Sequence, residues 1–344
     1  MMAPHVDAGA RQNTVIMQKL INHPSNAALE SLEGFALAHA DQVTVHFNPH
    51  VVCRRDAPRP GKVAVISGSG GGHEPLNIGY VGPGMLDAAC PGPIFTSPPP
   101  DQYLRAAELV HGGAGVCLVV KNYMGGVLNT GMAIEMLRDD GIAVAPVLVR
   151  DDVSVEQPAN RRALGATVLV EKIAGAAAEA GRPLAAVAAV AQRAGDAASS
   201  MGVALSGCTS PVLGRPTFQL PAGQIEIGVG IHGEAGRRRM VWSKADKVVE
   251  MLTTSILHEL RLTAGARVLA LVSGLGGTPQ HELYIVYRQL HHLLDKAGIQ
   301  IERRLVGNYI TSLDMAGCTI TLMRLDPELL ALWDAPVRTP ALHW

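Results

Sequence analysis

Residues 43–47 alternate apolar and polar positions, the pattern of a strand with one wetted face. Residues 63–67 are almost continuously apolar and predict a strand buried on both faces, and residues 115–120 and 143–149 repeat that pattern. Between these runs, residues 102–110 and 130–139 carry apolar side chains at helical spacing. Strands alternating with helices predict right-handed βαβ units and a parallel sheet. An alanine-rich tract, residues 173–198, predicts one or two long helices with a break at Gly181-Arg182-Pro183. The pattern then changes. Residues 202–236 are rich in Gly, Pro and Ser, with short β-type runs such as 224–231. A helix over 244–260, a strand over 267–272, a turn at Ser273-Gly-Leu-Gly-Gly-Thr-Pro279 and a helix over 280–297 follow. The fold expected is α/β with two domains that meet near Ala198, each a mainly parallel or mixed sheet flanked by helices.

Composition narrows this picture. A chain of 344 residues is too long for one ordinary core. Hydrophobic residues make up 48% but aromatics only 4%, so the core must be aliphatic, which suits buried parallel strands under alanine-rich helices. A formal net charge of −1 gives no general attraction for nucleic acid. Cys53, Cys90, Cys117, Cys208 and Cys318 contain no CxxC pair, which argues for buried thiols rather than a disulfide framework or a structural zinc site. No apolar run approaches the ~18 residues that span a bilayer. Residues 1–15 lack the apolar stretch of a secretory signal, so residues 1–16 are expected to form a loose arm and the chain to be cytoplasmic.

Two glycine-rich stretches carry the candidate chemistry. Ser67-Gly-Ser-Gly-Gly-Gly-His-Glu-Pro75 directly follows a predicted buried strand. Its glycines let backbone approach a ligand closely, and their N–H groups can form a concave donor array. A dinucleotide fingerprint fails here because His73 stands where its third glycine should be, and no Walker-type Gly-Lys-Ser/Thr ending is present. His73 itself can exchange protons with a substrate hydroxyl. The second stretch, Ile227-Gly-Val-Gly-Ile-His-Gly-Glu-Ala-Gly236, carries His232 and runs into Arg237, Arg238 and Arg239, which can meet an anion or simply face water. Phe95-Thr-Ser-Pro-Pro-Pro-Asp101 and Lys121-Asn-Tyr-Met-Gly-Gly126 lie where parallel strands should end, the usual ligand position in such folds, and Lys121 offers a compact charge to a substrate oxygen. His258-Glu259 and His281-Glu282 lack the second histidine of a zinc helix, so no metal site is expected. These features together predict a small polar ligand held around His73 and His232.

In order along the chain, several motifs resemble the K subunit of bacterial dihydroxyacetone kinases, from about Met17 to Trp344. They include Gln18-Lys-Leu-Ile-Asn22, Arg55-Asp-Ala-Pro58, the His73 loop, Gly79-Tyr-Val-Gly-Pro-Gly-Met-Leu86 and Ile94-Phe-Thr-Ser-Pro98. Lys121-Asn-Tyr123, Glu226-Ile-Gly-Val-Gly-Ile-His-Gly-Glu234, Thr311-Ser-Leu-Asp-Met315 and Ala331-Leu-Trp-Asp-Ala-Pro336 continue the series. The resemblance implies a first domain of residues 17–198 plus 312–344, with residues 199–311 inserted as a second domain that carries His232. It also implies a chemistry: His232 adds to the carbonyl of a short ketose as a covalent hemiaminal, His73 works in proton transfer, and Gly70, Gly71, Ser97 and Lys121 bind the substrate. The K subunit holds no nucleotide. A separate L subunit carries ATP–magnesium, or an ADP recharged by a phosphotransferase chain, and K subunits pair as homodimers.

One departure bears on chemistry. Where the family usually reads Lys-Asn-Tyr-Thr-Gly-Asp, with the aspartate as base for the hydroxyl that receives phosphate, the matching stretch Lys121-Asn-Tyr-Met-Gly-Gly126 has glycine at the last position. Losing a general base typically costs about 10²–10⁴-fold in rate. Removing the carboxylate is also expected to leave space and delete a negative charge, which favours a longer or anionic carbonyl ligand. Ala235 for proline and Ser273-Gly-Leu-Gly-Gly277 for Asn-Gly-Leu-Gly-Ala are smaller departures. Three functions follow: a ketose-binding kinase subunit; an isomerase or lyase acting on a tetrulose or phosphorylated ketose; and a non-catalytic coactivator that senses a carbonyl ligand.

Overall fold

The computed structural model describes residues 18–234 and 236–344, so the arm expected over residues 1–16 lies outside the described residues, as does the departure at Ala235. Helix α1 (Ala27–Ala38) leads into an antiparallel hairpin, β1 (Val43–Phe47) and β2 (His50–Arg54). Then come β3 (Ala64–Gly71), β4 (Ala88–Ile94), α2 (Pro100–Val110), β5 (Val116–Lys121), α3 (Met124–Asp139) and β6 (Val144–Val149). These strands form one six-stranded sheet in the order β1-β2-β4-β3-β5-β6. The strands from β4 to β6 are parallel and the hairpin joins them antiparallel.

The apolar run of β5 is buried at all six positions because the sheet is covered on both faces. Cys117 and Val119 pack into the core beneath the next helix, α4 (Ala166–Glu179), whereas Leu118 and Val120 pack with Tyr103 and Ala106 of α2. Helix α4 is buried from Ala166 to Ala178 and touches strands of both sheets. Its small side chains permit that: a Cβ on Gly175 would sit 2.3 Å from the Met85 Cα. The expected break falls at Gly181, whose left-handed φ of 72° ends α4 before α5 (Leu184–Asp196) begins behind Pro183.

The second sheet uses β7 (Ala198–Ala204), β10 (Gln224–Ile227), β11 (Arg238–Val241), β12 (Arg267–Gly274), β13 (Gln300–Gly307) and β14 (Gly317–Arg324), in the order β11-β10-β7-β14-β12-β13. A two-residue ladder, β8 (Thr209–Ser210) with β9 (Arg215–Pro216), stands apart. Helices α6 (Ala245–Leu260) and α7 (Gln280–Lys296) cover one face and α8 (Pro327–Asp334) follows β14. Only β12 and β13 run parallel here.

The first sheet is mainly parallel, as expected, and mixed only where the short β1–β2 hairpin closes its edge. One expectation needs correction. The segment 312–344 does not return as a block to the first domain. Its strand β14, buried at every position but Arg324, lies between β7 and β12 in the second sheet, while Met315, Met323 and Leu325, then Leu329, Leu332, Trp333, Val337 and Leu342 from α8 onward, join the core around α4. Among the described residues, no helix is long and apolar enough to cross a membrane.

Candidate functional site

The glycine-rich stretch after residue 67 is largely strand rather than loop, since β3 pairs with β4 as far as Gly71 and Ile94. Close packing explains its glycines. A Cβ on Gly68 would lie 2.6 Å from the Tyr103 hydroxyl, and one on Gly70 would lie 2.4 Å from the Thr96 nitrogen. The expected array of free N–H donors is partly occupied, because the Gly72 amide donates to the Glu74 carboxylate at 3.0 Å. Beyond Gly72, His73 is wholly buried and stacks on Phe95, with centroids 4.9 Å apart. Phe95 holds a left-handed φ of 56°, a strained conformation of the kind that clusters at functional sites.

His73 Nδ1 lies 2.8 Å from the Thr311 carbonyl oxygen. A carbonyl can only accept, so Nδ1 carries the proton and the bare nitrogen is Nε2, which is buried without a partner. Burial, then the charges of His232 and Lys121, push the His73 pKa well below the usual imidazole value, against the pull of Thr311. His73 is therefore a neutral acceptor.

His232 arrives from the second sheet on the loop after β10, anchored by the buried Val229 and Ile231 on its N-terminal side. Its ring stands edge-on to His73 at 4.6 Å, to Phe95 at 5.4 Å and to Tyr123 at 4.5 Å between centroids. The Tyr123 hydroxyl is itself fixed by donating to the Ala163 carbonyl at 2.9 Å. Glu234 clamps His232 twice: Oε1 lies 3.1 Å from Nδ1 and Oε2 accepts from the main-chain nitrogen at 3.0 Å. Burial alone would raise the Glu234 pKa. The hydrogen bond and charge of His232, with Arg162, hold it below the usual carboxylate range. An ionised carboxylate on Nδ1 leaves the Nε2 lone pair of His232 as the exposed nucleophilic atom.

His232 lines a cavity with Ser69, Gly70, Ser97, Lys121, Tyr123 and Gly126, at the carboxyl ends of the parallel strands. Helix α3 begins at Met124, six residues before the expected start, so Gly126 sits in its first turn. A Cβ there would meet the Lys121 carbonyl oxygen at 3.4 Å and Ser97 Oγ at 3.7 Å, ordinary contacts that a side chain can make. Lys121 is 6% exposed and its Nζ has no partner; burial pulls its pKa down while Glu171 pulls it up. The cavity measures about 20 Å³, little more than one water. Glycine at 126 thus opens no roomy pocket of the kind expected from the missing carboxylate. A groove of about 800 Å³ lies beyond the glycine-rich stretch, but it is lined by residues such as Leu20, Leu32 and Glu74 and by neither histidine.

The structure thus gathers His73, His232, Gly70, Ser97, Lys121 and Gly126. Gly71 faces the larger groove. The three arginines do not converge on the cavity: Arg237 lies 3.7 Å from Glu156, Arg239 pairs with Glu226 at 2.7 Å, and Arg238 lies against Met251. Among the described residues, no group of three or more His, Cys, Asp or Glu is arranged to hold a metal ion. Sequence reasoning missed the roles of Phe95, Tyr123, Glu234 and Thr311, and it missed Glu171 entirely. Glu234 had a readable signal, two residues after His232. Glu171 had none, being one acid in an alanine-rich helix.

Comparison with known proteins identifies the family and the fold. Residues 33–341 match the Dak1 domain family. The chain is 46% identical to the dihydroxyacetone-binding subunit of the PEP-dependent dihydroxyacetone kinase of Escherichia coli, over 95% of this chain and 99% of that one. It superposes on the dihydroxyacetone kinase of C. freundii with a TM-score of 0.87 at 35% identity, covering 94% of this chain but only 60% of that longer protein. A dihydroxyacetone kinase operon co-activator superposes with a TM-score of 0.85 at 31% identity, over 91% of this chain and 97% of that one.

Proposed function

The chain belongs to the Dak1 domain family, and from that premise we propose that it is the ketose-binding subunit of a dihydroxyacetone-type kinase. The observation that carries this reading is the clamp of Glu234 on His232, which leaves Nε2 as the one ring nitrogen free to attack. Its lone pair adds to the carbonyl carbon of a short ketose, and the C=O electrons move to oxygen. The Nδ1 proton passes towards Glu234 while a solvent proton neutralises the new oxyanion, so the hemiaminal weighs as protein plus ligand. Polyols such as glycerol offer no carbonyl and are refused. Ser97, Lys121 and the Gly70 backbone hold the ligand oxygens, and His73 Nε2 accepts a hydrogen bond from a ligand hydroxyl. The phosphoryl group comes from a partner L-type subunit carrying ATP–magnesium or a recharged ADP. Pairing of two K subunits and a cytoplasmic setting belong to the same reading.

The test mixes the chain with an L-type subunit, ATP and a panel of trioses and tetruloses, following ADP release. Turnover on at least one ketose is expected; none on any of them overturns the kinase reading. Intact mass tests capture separately, since a mass shift that survives His232→Ala refutes the nucleophile. A second reading, a ligand-sensing coactivator, is favoured by Gly126 together with the similarity to the operon co-activator. It predicts capture on His232 without turnover. An isomerase or lyase would instead convert a ketose phosphate with no partner.

A further inference from the structure

Gly126 leaves the kinase reading without a carboxylate to take the hydroxyl proton, and His73 does not fill the gap. Its neutral ring holds a proton poorly near pH 7. Among the described residues, seven buried side-chain polar atoms lack a hydrogen-bond partner, and three of them belong to residues linked electrostatically through Lys121: His73 Nε2, Lys121 Nζ and Glu171 Oε2. Native interiors leave few such atoms, and each asks for an explanation.

Glu171 is fully buried on α4, yet a continuous hydrogen-bonded path joins it to the cavity wall. The Ser69 hydroxyl donates to Asn77 Oδ1 at 2.6 Å, and Asn77 Nδ2 donates to Glu171 Oε1 at 2.5 Å and to Ser67 Oγ at 2.9 Å. Burial pushes the Glu171 carboxyl up and the Lys121 ammonium down, so the two approach each other from opposite ends of the pH scale. Tyr80 and His73 are the other titratable groups facing the pair.

We propose that Lys121, charge-balanced by the buried carboxylate of Glu171, takes the proton of the ligand hydroxyl in place of an acid at position 126. This rests on the kinase reading. The ligand O–H bond breaks and its proton moves to the neutral Lys121 amine. The oxygen bonds the phosphorus delivered by the partner's phosphoryl donor, whose bond to the leaving oxygen breaks. The resulting ammonium is stabilised by Glu171 and returns its proton to solvent. Lys121 is the catalytic residue and Glu171 a positioning residue.

The test measures kcat and KM of the chain with its L-type subunit across pH, for the native chain, Glu171→Gln, Glu171→Asp and Lys121→Arg. Glu171→Gln is expected to lower kcat about 10²-fold, to leave KM near its native value and to move the limb that reports Lys121 to lower pH, because the carboxylate was raising that pKa. Glu171→Asp should recover part of the loss. Lys121→Arg is permanently protonated and cannot accept the hydroxyl proton, so it should lose about 10²-fold in kcat while capture by mass persists. Native kcat in Lys121→Arg, or an unmoved limb in Glu171→Gln, overturns the proposal. If the native chain turns over no ketose, the kinase reading has failed by itself. The pair is then read from lysine 13Cε shifts: a Lys121 that titrates like an exposed lysine, or identically in Glu171→Gln, overturns it.

Discussion

One histidine of the site comes from each sheet. His73 rises from the end of β3 in the first sheet, fully buried, stacked on an aromatic ring, with a backbone carbonyl on Nδ1. His232 comes from the loop after β10 in the second, its side chain 22% exposed, with a carboxylate on the same nitrogen. Both present a bare Nε2, yet the consequences differ. A neutral carbonyl only fixes the tautomer, whereas a carboxylate also steadies the positive charge that grows on a ring as it attacks carbon. Burial lowers the basicity of His73, and access lets His232 meet a ligand. The partner on Nδ1 and the depth of the ring, not the residue type, divide the labour. The proposed roles follow that division.

His232→Ala breaks the comparison most severely. It should abolish the ligand adduct in intact mass and cut turnover on the order of 10⁴-fold or more, as loss of a nucleophile does. His73→Gln should keep the adduct and cost about 10²-fold in kcat, by misplacing the ligand hydroxyl that the ring holds. Equal effects of the two changes on the adduct would show that the rings are not specialised.

That both histidines mattered was legible, because each sits in glycine-rich sequence that nothing in a bland core requires. What separates them was not. Thr311 reaches His73 from 238 residues away and Phe95 reaches it across two strands, contacts that no local pattern encodes. The alternation of strands and helices gave β3, β5 and β6 and their parallel order. It could not place β14, since a strand pattern reads the same in either sheet, and it missed α3's first turn because two glycines carry no helical period. Glu171 stayed hidden for the same reason that makes it notable: burial of an acid inside an alanine-rich helix is a tertiary event.

Gly126→Asp probes the cavity wall beside Ser97 and Lys121. The Cβ fits, and an acid in the first turn of α3 faces the positive end of the helix dipole, worth about 0.3–1 kcal/mol. If phosphoryl transfer is the reaction and a base is what limits it, kcat should rise about 10-fold to 10²-fold. An unchanged kcat with a correctly folded variant would mean that the proton already has an adequate acceptor. A smaller change is expected from Glu234→Gln. The amide oxygen can still accept from Nδ1, but the amide NH2 cannot accept from the His232 main-chain nitrogen and the charge is gone, so the rate of adduct formation should fall about 10-fold while its final extent changes little. An unchanged rate would reduce Glu234 to a structural clamp and bring His232 closer to His73 in kind.

The smallest expected effect tests the other half of the contrast, the neutrality of His73, without any ligand. Its folded pKa lies well below the 6.5 of an unfolded histidine, so between those two values the unfolded chain binds a proton that the folded chain refuses. Folding stability from this group is fully present above about pH 6.5 and is lost as the pH falls through the folded value, with a slope approaching 1.4 kcal/mol per pH unit for one proton. Asp151 works against it: burial pushes its carboxyl up to about 6, and its contribution grows as pH falls. The difference between the native chain and His73→Gln cancels that background. Denaturant unfolding at pH 7.5, 6.5 and 5.5 should therefore show the native chain losing about 1 kcal/mol more than the variant over the lowest step. If the two curves ran parallel, His73 would bind its proton as readily folded as unfolded. The distinction between a buried acceptor and an exposed nucleophile would then rest on geometry alone.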